Sequence, residues 1–287
     1  EREIREVGVT RLSLGVEHFD DHILESNGRA HRSGEVDRAY RFARSLGFEH
    51  INIDLIAGMM NDTEEKWKFA VAKAIELQPD AVTIYQMEVP FNTTIYQQMK
   101  AEGKVTAPVA DWPTKRAWVS YAFDEFQKAG YTVTSAYPVV KDPSRIKFVY
   151  RDSLWEGSDL LSCGVASFGH LGGVHYQNQA DVGPYMQAID AGKSVIYRAY
   201  ETNHDERFVR EFMLKLKLGS VKASYYQQKF GEDVLTRFAP QLSHMQNDGD
   251  LELHGEEIRL TRQGFLQVDR LLHEFFLPQH RQYARYT

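Results

Sequence analysis

Cysteine is nearly absent from this chain of 287 residues, since Cys163 is its only one. A single thiol excludes an intrachain disulfide framework. It also excludes any metal or iron–sulfur site that needs three or four cysteines from this chain. Because disulfides are typical of oxidising compartments, the low cysteine content leads us to expect a cytoplasmic protein.

Long apolar runs and a basic charge excess are also missing. No stretch of about 18 apolar residues occurs, so we expect no membrane partner. Asp and Glu number 40 against 34 Lys and Arg, and the formal net charge of −6 argues against nucleic acid as a partner. The length is sufficient for one large domain or two ordinary ones with a real core, and the sequence leaves the oligomeric state open.

The first residues lack an initiator methionine and a signal peptide. Residues 1–6 are typical of the end of a helix, and the strand-like run RLSLGVE follows at 11–17. This opening predicts a fragment that begins within a domain, and a mature terminus is the alternative.

An alternation of strands and helices runs through the first half. Apolar strand patterns occur at 11–17, 50–58, 81–89 and 131–137, and helical patterns at 33–46, 62–77 and 114–128. Strands that follow one another at the spacing of a βα unit predict parallel α/β architecture, either a barrel segment or an open sheet.

The pattern changes after Tyr137. Residues 138–159 look like a loop, 160–178 are rich in glycine, and from 205 to 276 helices surround a hairpin pattern over 250–261 that turns at Gly255. We therefore expect four segments: a partial barrel over 1–137, a loop-rich extension over 138–198, a winged-helix-like domain over 199–276 and a tail over 277–287.

Polar residues occur at the ends of the predicted strands, where parallel α/β proteins place their chemistry. They are Glu17, Asp54, Gln86 and Glu88. An acidic residue inside an apolar strand such as INIDLI is costly to bury without partners. The carboxylates could accept hydrogen bonds from a ribose diol or an ammonium group, and the structural alternative is that Asp54 caps a neighbouring loop.

Other candidate motifs are weaker. The glycines within 164–173 do not match a phosphate loop or a dinucleotide fingerprint, and a tight turn is the simpler interpretation. His18 and His22 have the spacing of zinc ligands, but a solvated helix face explains them better because no third ligand is evident. We interpret His170 and His175 as loop or core residues, and we assign no metal ligand and no catalytic residue.

Five stretches together are similar to one family. RLSLGVEHFDDHILESNGRAH, INIDLIAGM, TIYQMEVP, LLSCGVASFGHLGGVHYQNQ and IRLTRQGFLQVDRLL resemble, in order and spacing, the oxygen-independent coproporphyrinogen III oxidase family of radical S-adenosylmethionine (SAM) proteins. The resemblance implies an α/β fold: the C-terminal half of a radical SAM partial (β/α) barrel, followed by a mainly helical winged-helix-like domain.

The resemblance also implies SAM as a cofactor. Carried over by position, the family's SAM contacts fall on Glu17, where the family usually has glutamine, on Arg29, on Asp54, on the main chain of Met87 and on Phe168. Arg29 has a structural alternative, an (i, i+4) ion pair with Glu25.

A [4Fe–4S] cluster is likewise implied, but its ligands are not in this chain. The family holds the cluster through a Cys-x3-Cys-x2-Cys motif on the first barrel strand, whereas the single cysteine here lies in a different segment. The resemblance therefore implies the C-terminal part of such an enzyme, with the first three βα units missing, and we expect the chain alone to be inactive.

For the intact protein the resemblance implies a tetrapyrrole substrate and oxidative decarboxylation of propionates to vinyl groups in haem biosynthesis. Arg145, Lys147 and Arg151 are candidate carboxylate ligands, and a solvated loop is their alternative. Competing functions are a radical SAM methyltransferase, a haem-ring-opening enzyme and a haem chaperone. The run YTVTSAYPVV at 131–140 argues against the chaperone, and the low basic charge of 205–276 argues against a DNA-binding module.

Overall fold

The structure is a computed structural model that describes residues 2–89, 94–101, 103 and 108–281 of the chain. The chain forms two compact units: among the described residues, the first covers those up to 147 together with 265–267, and the second covers 148–264 together with 268–281. The four segments expected from the sequence stay a prediction. No helix among the described residues is long and apolar enough to cross a membrane.

The first unit alternates helices and strands. Its elements, in chain order, are α1 (Arg2–Glu6), β1 (Arg11–Glu17), α2 (Asp21–Ser26), α3 (Ser33–Ser45), β2 (His50–Ala57), α4 (Glu64–Leu77), β3 (Ala81–Gln86), α5 (Thr94–Ala101), α6 (Trp112–Lys128), β4 (Thr132–Val133) and β5 (Pro138–Val140).

Its sheet has the strand order β1-β2-β3-β5-β4. The pairs β1–β2 and β2–β3 are parallel, as the strand–helix alternation predicts. The pairs β3–β5 and β4–β5 are antiparallel, so the expectation of a wholly parallel arrangement is wrong at this edge. The strand expected over 131–137 is reduced to β4, and the chain forms β5 instead because Val139 and Val140 are buried there.

The core of the first unit centres on β2. Ile51, Ile53 and Leu55 are 0% exposed and, as alternate residues of a strand, share one face, whereas Asn52 and Asp54 belong to the opposite face. The Nε1 of Trp67 on α4 donates to the carbonyl of Trp118 on α6 at 2.8 Å, and the two indoles stack. This pair joins two helices over the sheet.

The starts of two helices are capped differently. Arg32 occupies the N-cap position of α3, and Ser33 is the first residue of that helix. At the start of α4, the Thr63 side chain accepts a hydrogen bond from Lys66 N at 3.3 Å. The neighbouring Asp62 contacts His18, with its Oδ1 3.5 Å from the ring Nε2.

Beyond residue 148 the elements, in chain order, are α7 (Val149–Trp155), β6 (Phe168–Leu171), β7 (Val174–Asn178), α8 (Val182–Asp190), β8 (Ile196–Glu201), α9 (His204–Leu216), β9 (Ser220–Lys222), α10 (Ala223–Phe230), α11 (Val234–Arg237), α12 (Ala239–Asn247), β10 (Leu251–His254), β11 (Glu257–Leu260), α13 (Arg262–Leu266), α14 (Val268–Leu272), a 3-10 turn (His273–Phe275) and α15 (Pro278–Arg281). The loop expected over 138–159 is wrong, because it contains β5 and α7. Residues 282–287 of the expected tail lie outside the described residues.

The second unit holds two antiparallel sheets, β6-β7-β8 and β10-β11-β9. The hairpin predicted over 250–261 is confirmed as β10 and β11, and Gly255 turns it at a φ of 62°, in the left-handed region that favours glycine. The core of this unit is aromatic: the rings of Phe212 and Phe238 lie 4.9 Å apart, and those of Phe212 and Phe275 are separated by the same distance.

Candidate cofactor site on the parallel strands

Glu17 ends β1 in an unusual backbone conformation. Its φ is 66°, and the β1–β2 register shifts between Gly15 and Glu17. A left-handed residue other than glycine costs of order 1–3 kcal/mol and persists only where the surrounding structure holds it. A Cβ added at Gly15 would lie 3.0 Å from Glu17 Oε1, so the absence of a side chain there leaves room for the carboxylate. The strain marks this strand end as a candidate site.

Arg29 contacts Glu17 directly. Its Nη2 lies 3.0 Å from Glu17 Oε2, and its Nε is buried without a hydrogen-bond partner among the described residues. The alternative pairing of Arg29 with Glu25 is wrong, since Glu25 pairs with Arg32 at 3.7 Å. Burial raises the pKa of Glu17, Arg29 lowers it, and nearby Asp54 raises it further. These three residues form the Glu17–Arg29–Asp54 cluster.

Asp54 lies inside β2 rather than at its end. Asn52 Nδ2 donates to Asp54 Oδ1 at 2.8 Å, and Ser13 Oγ on β1 lies 3.5 Å from Oδ2. Thr83 on β3 supports the arrangement by donating to Asn52 Oδ1 at 3.0 Å. Burial raises the pKa of Asp54 although these hydrogen bonds lower it. The carboxylate therefore contacts side chains of neighbouring strands and caps no loop.

Met87 follows β3, and both of its main-chain polar groups already have partners. Its N–H donates to Ala57 O at 2.9 Å, and its carbonyl accepts from Lys115 Nζ at 2.6 Å. Lys115 on α6 is 4% exposed, lies over the Trp112 ring, and has a pKa that burial lowers. The sequence analysis missed Lys115, although its place in the apolar stripe of α6 was the available indication.

The remaining strand-end residues differ in role. Gln86 Nε2 donates to the carbonyl of Leu266 at 2.8 Å, which is a structural contact within the first unit. Glu88 is exposed, and its charge acts on Lys115. Phe168 belongs to the second unit, where it begins β6 and is 49% exposed. The structure thus groups Glu17, Arg29 and Asp54 within the first unit.

His18 and His22 do not form a metal site. His18 precedes α2, is 0% exposed, accepts from Asp20 N through Nδ1 at 3.0 Å and has Asp62 Oδ1 at 3.5 Å from its Nε2. His22 is exposed on α2, so the shared helix face expected for the pair is wrong. His18 directly follows Glu17, and its buried contact with Asp62 holds the turn between β1 and α2 in place.

Metal-ligand geometry occurs elsewhere in the described part of the chain. His204, Asp205 and Glu232 place their ligand atoms within 4.8 Å of one another. Arg237 donates to Asp205 at 2.9 Å and to Glu232 at 2.5 Å. A guanidinium that already occupies both carboxylates disfavours a divalent cation there.

The candidate carboxylate ligands proposed from the sequence are not equally available. Arg145 and Lys147 are exposed in the first unit, whereas Arg151 in the second unit pairs with Asp152 at 2.6 Å. Its guanidinium also packs against the rings of Phe148 and Trp155. Arg151 is therefore already engaged.

Comparison with known proteins gives three findings. Residues 202–266 match the HemN C-terminal domain family. The chain is 26% identical over 92% of its length to heme chaperone HemW of Bacillus subtilis, covering 68% of that protein. It is 24% identical over 96% of its length to the oxygen-independent coproporphyrinogen III oxidase of Pseudomonas aeruginosa, covering 62%.

A solved structure supports the same relationship. The coproporphyrinogen III oxidase HemN of Escherichia coli, described as a radical SAM enzyme, superposes with a TM-score of 0.78 at 21% identity, over 96% of this chain and 67% of that one. This chain therefore shares the α/β fold of that HemN structure, and the resemblance identified from the sequence is confirmed. The chain spans about two thirds of the length of these proteins.

Proposed function

We propose that this chain is part of a radical SAM protein that acts on a tetrapyrrole, with oxygen-independent oxidation of coproporphyrinogen III as its reaction. The observation that carries the proposal is the Glu17–Arg29–Asp54 cluster, where two half-buried carboxylates on neighbouring parallel strands meet an arginine from the segment between α2 and α3. The names of the relatives supply the substrate class.

The residues present fit SAM and do not fit an iron–sulfur cluster. Asp54 and Glu17 retain acceptor sites for ribose hydroxyls or an amino group, and the buried Nε of Arg29 is an unused donor. One cysteine cannot replace the three ligands of a cluster. We therefore assign binding and orientation of SAM to these residues and derive no step from the cluster.

In the whole protein, bound SAM would supply the radical that removes a hydrogen atom from a propionate side chain, and loss of CO₂ together with one electron, taken up by an external one-electron acceptor, would leave a vinyl group. Within this chain, the raised pKa values of both carboxyl groups are consistent with a site that is complete only with a ligand. Hydroxyl donors and the sulfonium charge of SAM would stabilise the ionised carboxylates.

A haem chaperone is the second candidate, because HemW proteins match the chain as well as the oxidases do. Titration with haem, followed by Soret absorbance, separates the two functions. A tight 1:1 haem complex with no affinity for coproporphyrin would favour the chaperone, whereas the oxidase proposal expects coproporphyrin to bind.

Calorimetric titration of the full chain with SAM tests the cofactor assignment. Hydrogen bonds to charged groups contribute roughly 1.5–3 kcal/mol, so Asp54→Asn and Glu17→Ala should each weaken SAM binding by about one to two orders of magnitude. Asp37→Asn, at a partly exposed position on α3, is the control that also removes one negative charge. Equal affinity in all four proteins would refute the assignment.

A further inference from the structure

One side of the β6-β7-β8 sheet carries rings and cations. The antiparallel register places His170 opposite His175, and His175 opposite Tyr200. In the neighbouring row, Phe168 faces Gln177, which in turn faces Arg198. Because paired residues project to the same side of a sheet, these side chains share one face.

His170 is the buried member of this face. It is 7% exposed, and its Nδ1 is buried without a hydrogen-bond partner among the described residues. Its ring lies 6.0 Å from that of His175. A buried polar atom without a partner is uncommon in folded proteins and suggests a ligand atom that completes it.

Arg210 on α9 adds a full positive charge. It is half-buried, burial lowers the pKa of its guanidinium, and the charges of Glu211 and Asp159 act on it. Its charge acts on both histidines, whose pKa values are lowered first by burial and then by this guanidinium. We call His170, His175 and Arg210 the histidine–arginine cluster.

The two neighbouring carboxylates, Glu211 and Asp159, have hydrogen-bond partners outside the cluster. Glu211 pairs with Lys229 at 2.7 Å and accepts a hydrogen bond from Tyr225. Asp159 accepts from Gly172 N at 3.1 Å. Arg198 and Arg207 add further positive charge near the histidines. The cluster therefore has an excess of positive charge, which an anion would balance.

A flat apolar surface adjoins the cluster. The ring of Phe168 stacks on that of His175 with centroids 5.8 Å apart and an interplanar angle of 15°. Phe168 also lines an open cavity of about 340 Å³, together with Tyr150, Leu160, Leu161, Ser162, Cys163 and Ser167. Phe168 therefore links the histidine–arginine cluster to the open cavity, and all of these residues lie in the second unit.

We propose that His170, His175 and Arg210 bind a carboxylate of a flat ligand whose ring system lies against Phe168 and in the adjoining cavity. A guanidinium and two imidazoles supply the donors that a carboxylate requires. The inference rests on the proposed function, since the propionate of a tetrapyrrole is the carboxylate that such a protein meets. The methionine carboxylate of SAM is the other source of the same chemistry.

Titration of the full chain with coproporphyrin III, followed by Soret absorbance, tests the site. Arg210→Gln and His175→Gln should each weaken binding about tenfold or more, as expected for the loss of a charge-assisted hydrogen bond. Arg259→Gln, an exposed position on β11, removes the same charge as Arg210→Gln and should bind normally. The tetramethyl ester of coproporphyrin should bind all four proteins with equal, weaker affinity.

Further measurements separate failure of the site from failure of the proposed function. Inorganic phosphate should shift the NMR ring resonances of His170 and His175 in the wild type and not in Arg210→Gln, and the absence of a shift overturns the anion site. Coproporphyrin binding that the variants do not weaken overturns the porphyrin assignment, and weakened S-adenosylhomocysteine binding would then assign the carboxylate to SAM. If the wild-type chain binds neither coproporphyrin nor haem but still shows the phosphate shift, the proposed function is refuted and the anion site is not.

Discussion

Asp54 should make the ligand-free chain less stable as the pH rises. Burial raises its folded pKa above the ordinary value of 3.8, so well below that value both folded and unfolded chains hold the proton. As the pH rises, the unfolded chain ionises first, and the stability that this group contributes is lost through the folded pKa. We expect Asp54→Asn to unfold at a higher urea midpoint than the wild type near pH 7, and the two midpoints to converge as the pH falls below 3.8.

Asp37 provides the opposite case for the same urea measurements. A hydrogen bond from Arg41 lowers the pKa of this exposed carboxyl group, so its stabilising contribution is present at neutral pH and lost on acidification. Asp37→Asn should therefore show a slightly lower midpoint near pH 7. A midpoint for Asp54→Asn below that of the wild type at pH 7 would show that Asp54 is a structural residue.

For single residues, the sequence indicated which side chains belong to the candidate site better than it indicated their burial and contacts. The family resemblance assigned Glu17 and Arg29 to one site, and the structure shows that the two side chains form an ion pair. Lys115 and Arg210 could not be found, since their burial depends on helices packed by residues distant in sequence. The assignment of His175 to loop or core missed its stacking on Phe168 for the same reason.

Among the elements, β8 is an open edge that should promote self-association. All six of its residues are exposed, and it is the terminal strand of its sheet. An exposed edge with Ile196 and Tyr197 at its start offers unpaired backbone groups and apolar side chains to another chain. Ala199→Lys should lower the weight-average mass measured by light scattering at high protein concentration.

The matched control is Ala199→Ser, which keeps a small, uncharged side chain at the same position of the edge strand. It should associate like the wild type. Equal masses for the wild type and the lysine variant at every concentration would show that β8 does not mediate association.

Element prediction succeeded for the longer strands. The strands β1, β2 and β3 fall within the expected ranges, because each has six to eight residues with recurring aliphatic side chains. The short strands β5 and β9 were missed and β4 is shorter than expected, since two or three residues carry too little periodicity and form only against a partner strand. The histidines at 18 and 22 failed as a pair because the turn after β1 separates them.

For the whole molecule, we expect no iron–sulfur cluster in this chain. A [4Fe–4S] cluster of this kind needs three thiolates, and the chain has only Cys163, which is exposed. Anaerobic reconstitution followed by visible absorbance and iron analysis should give far fewer than about four iron atoms per chain. Cys163→Ser should behave identically, and a stoichiometric cluster in either protein would contradict the expectation.

The overall fold was accessible from the sequence because five motifs occur in one order, and the superposition with HemN confirms the fold class. The division into units was not accessible. It depends on which residues pack together, and residues 265–267 pack with a first unit that otherwise ends at 147. The position of residues 265–267 in the sequence gives no indication that they pack with the first unit.

The tryptophans give the chain an optical asymmetry. Of its four tryptophans, Trp67, Trp112 and Trp118 lie in the first unit and only Trp155 lies in the second. Trp67 and Trp118 are almost completely buried and stack on each other over the sheet that carries the Glu17–Arg29–Asp54 cluster. Intrinsic fluorescence is therefore weighted towards the first unit, and a red shift of the emission during denaturation reports chiefly the opening of the proposed cofactor scaffold.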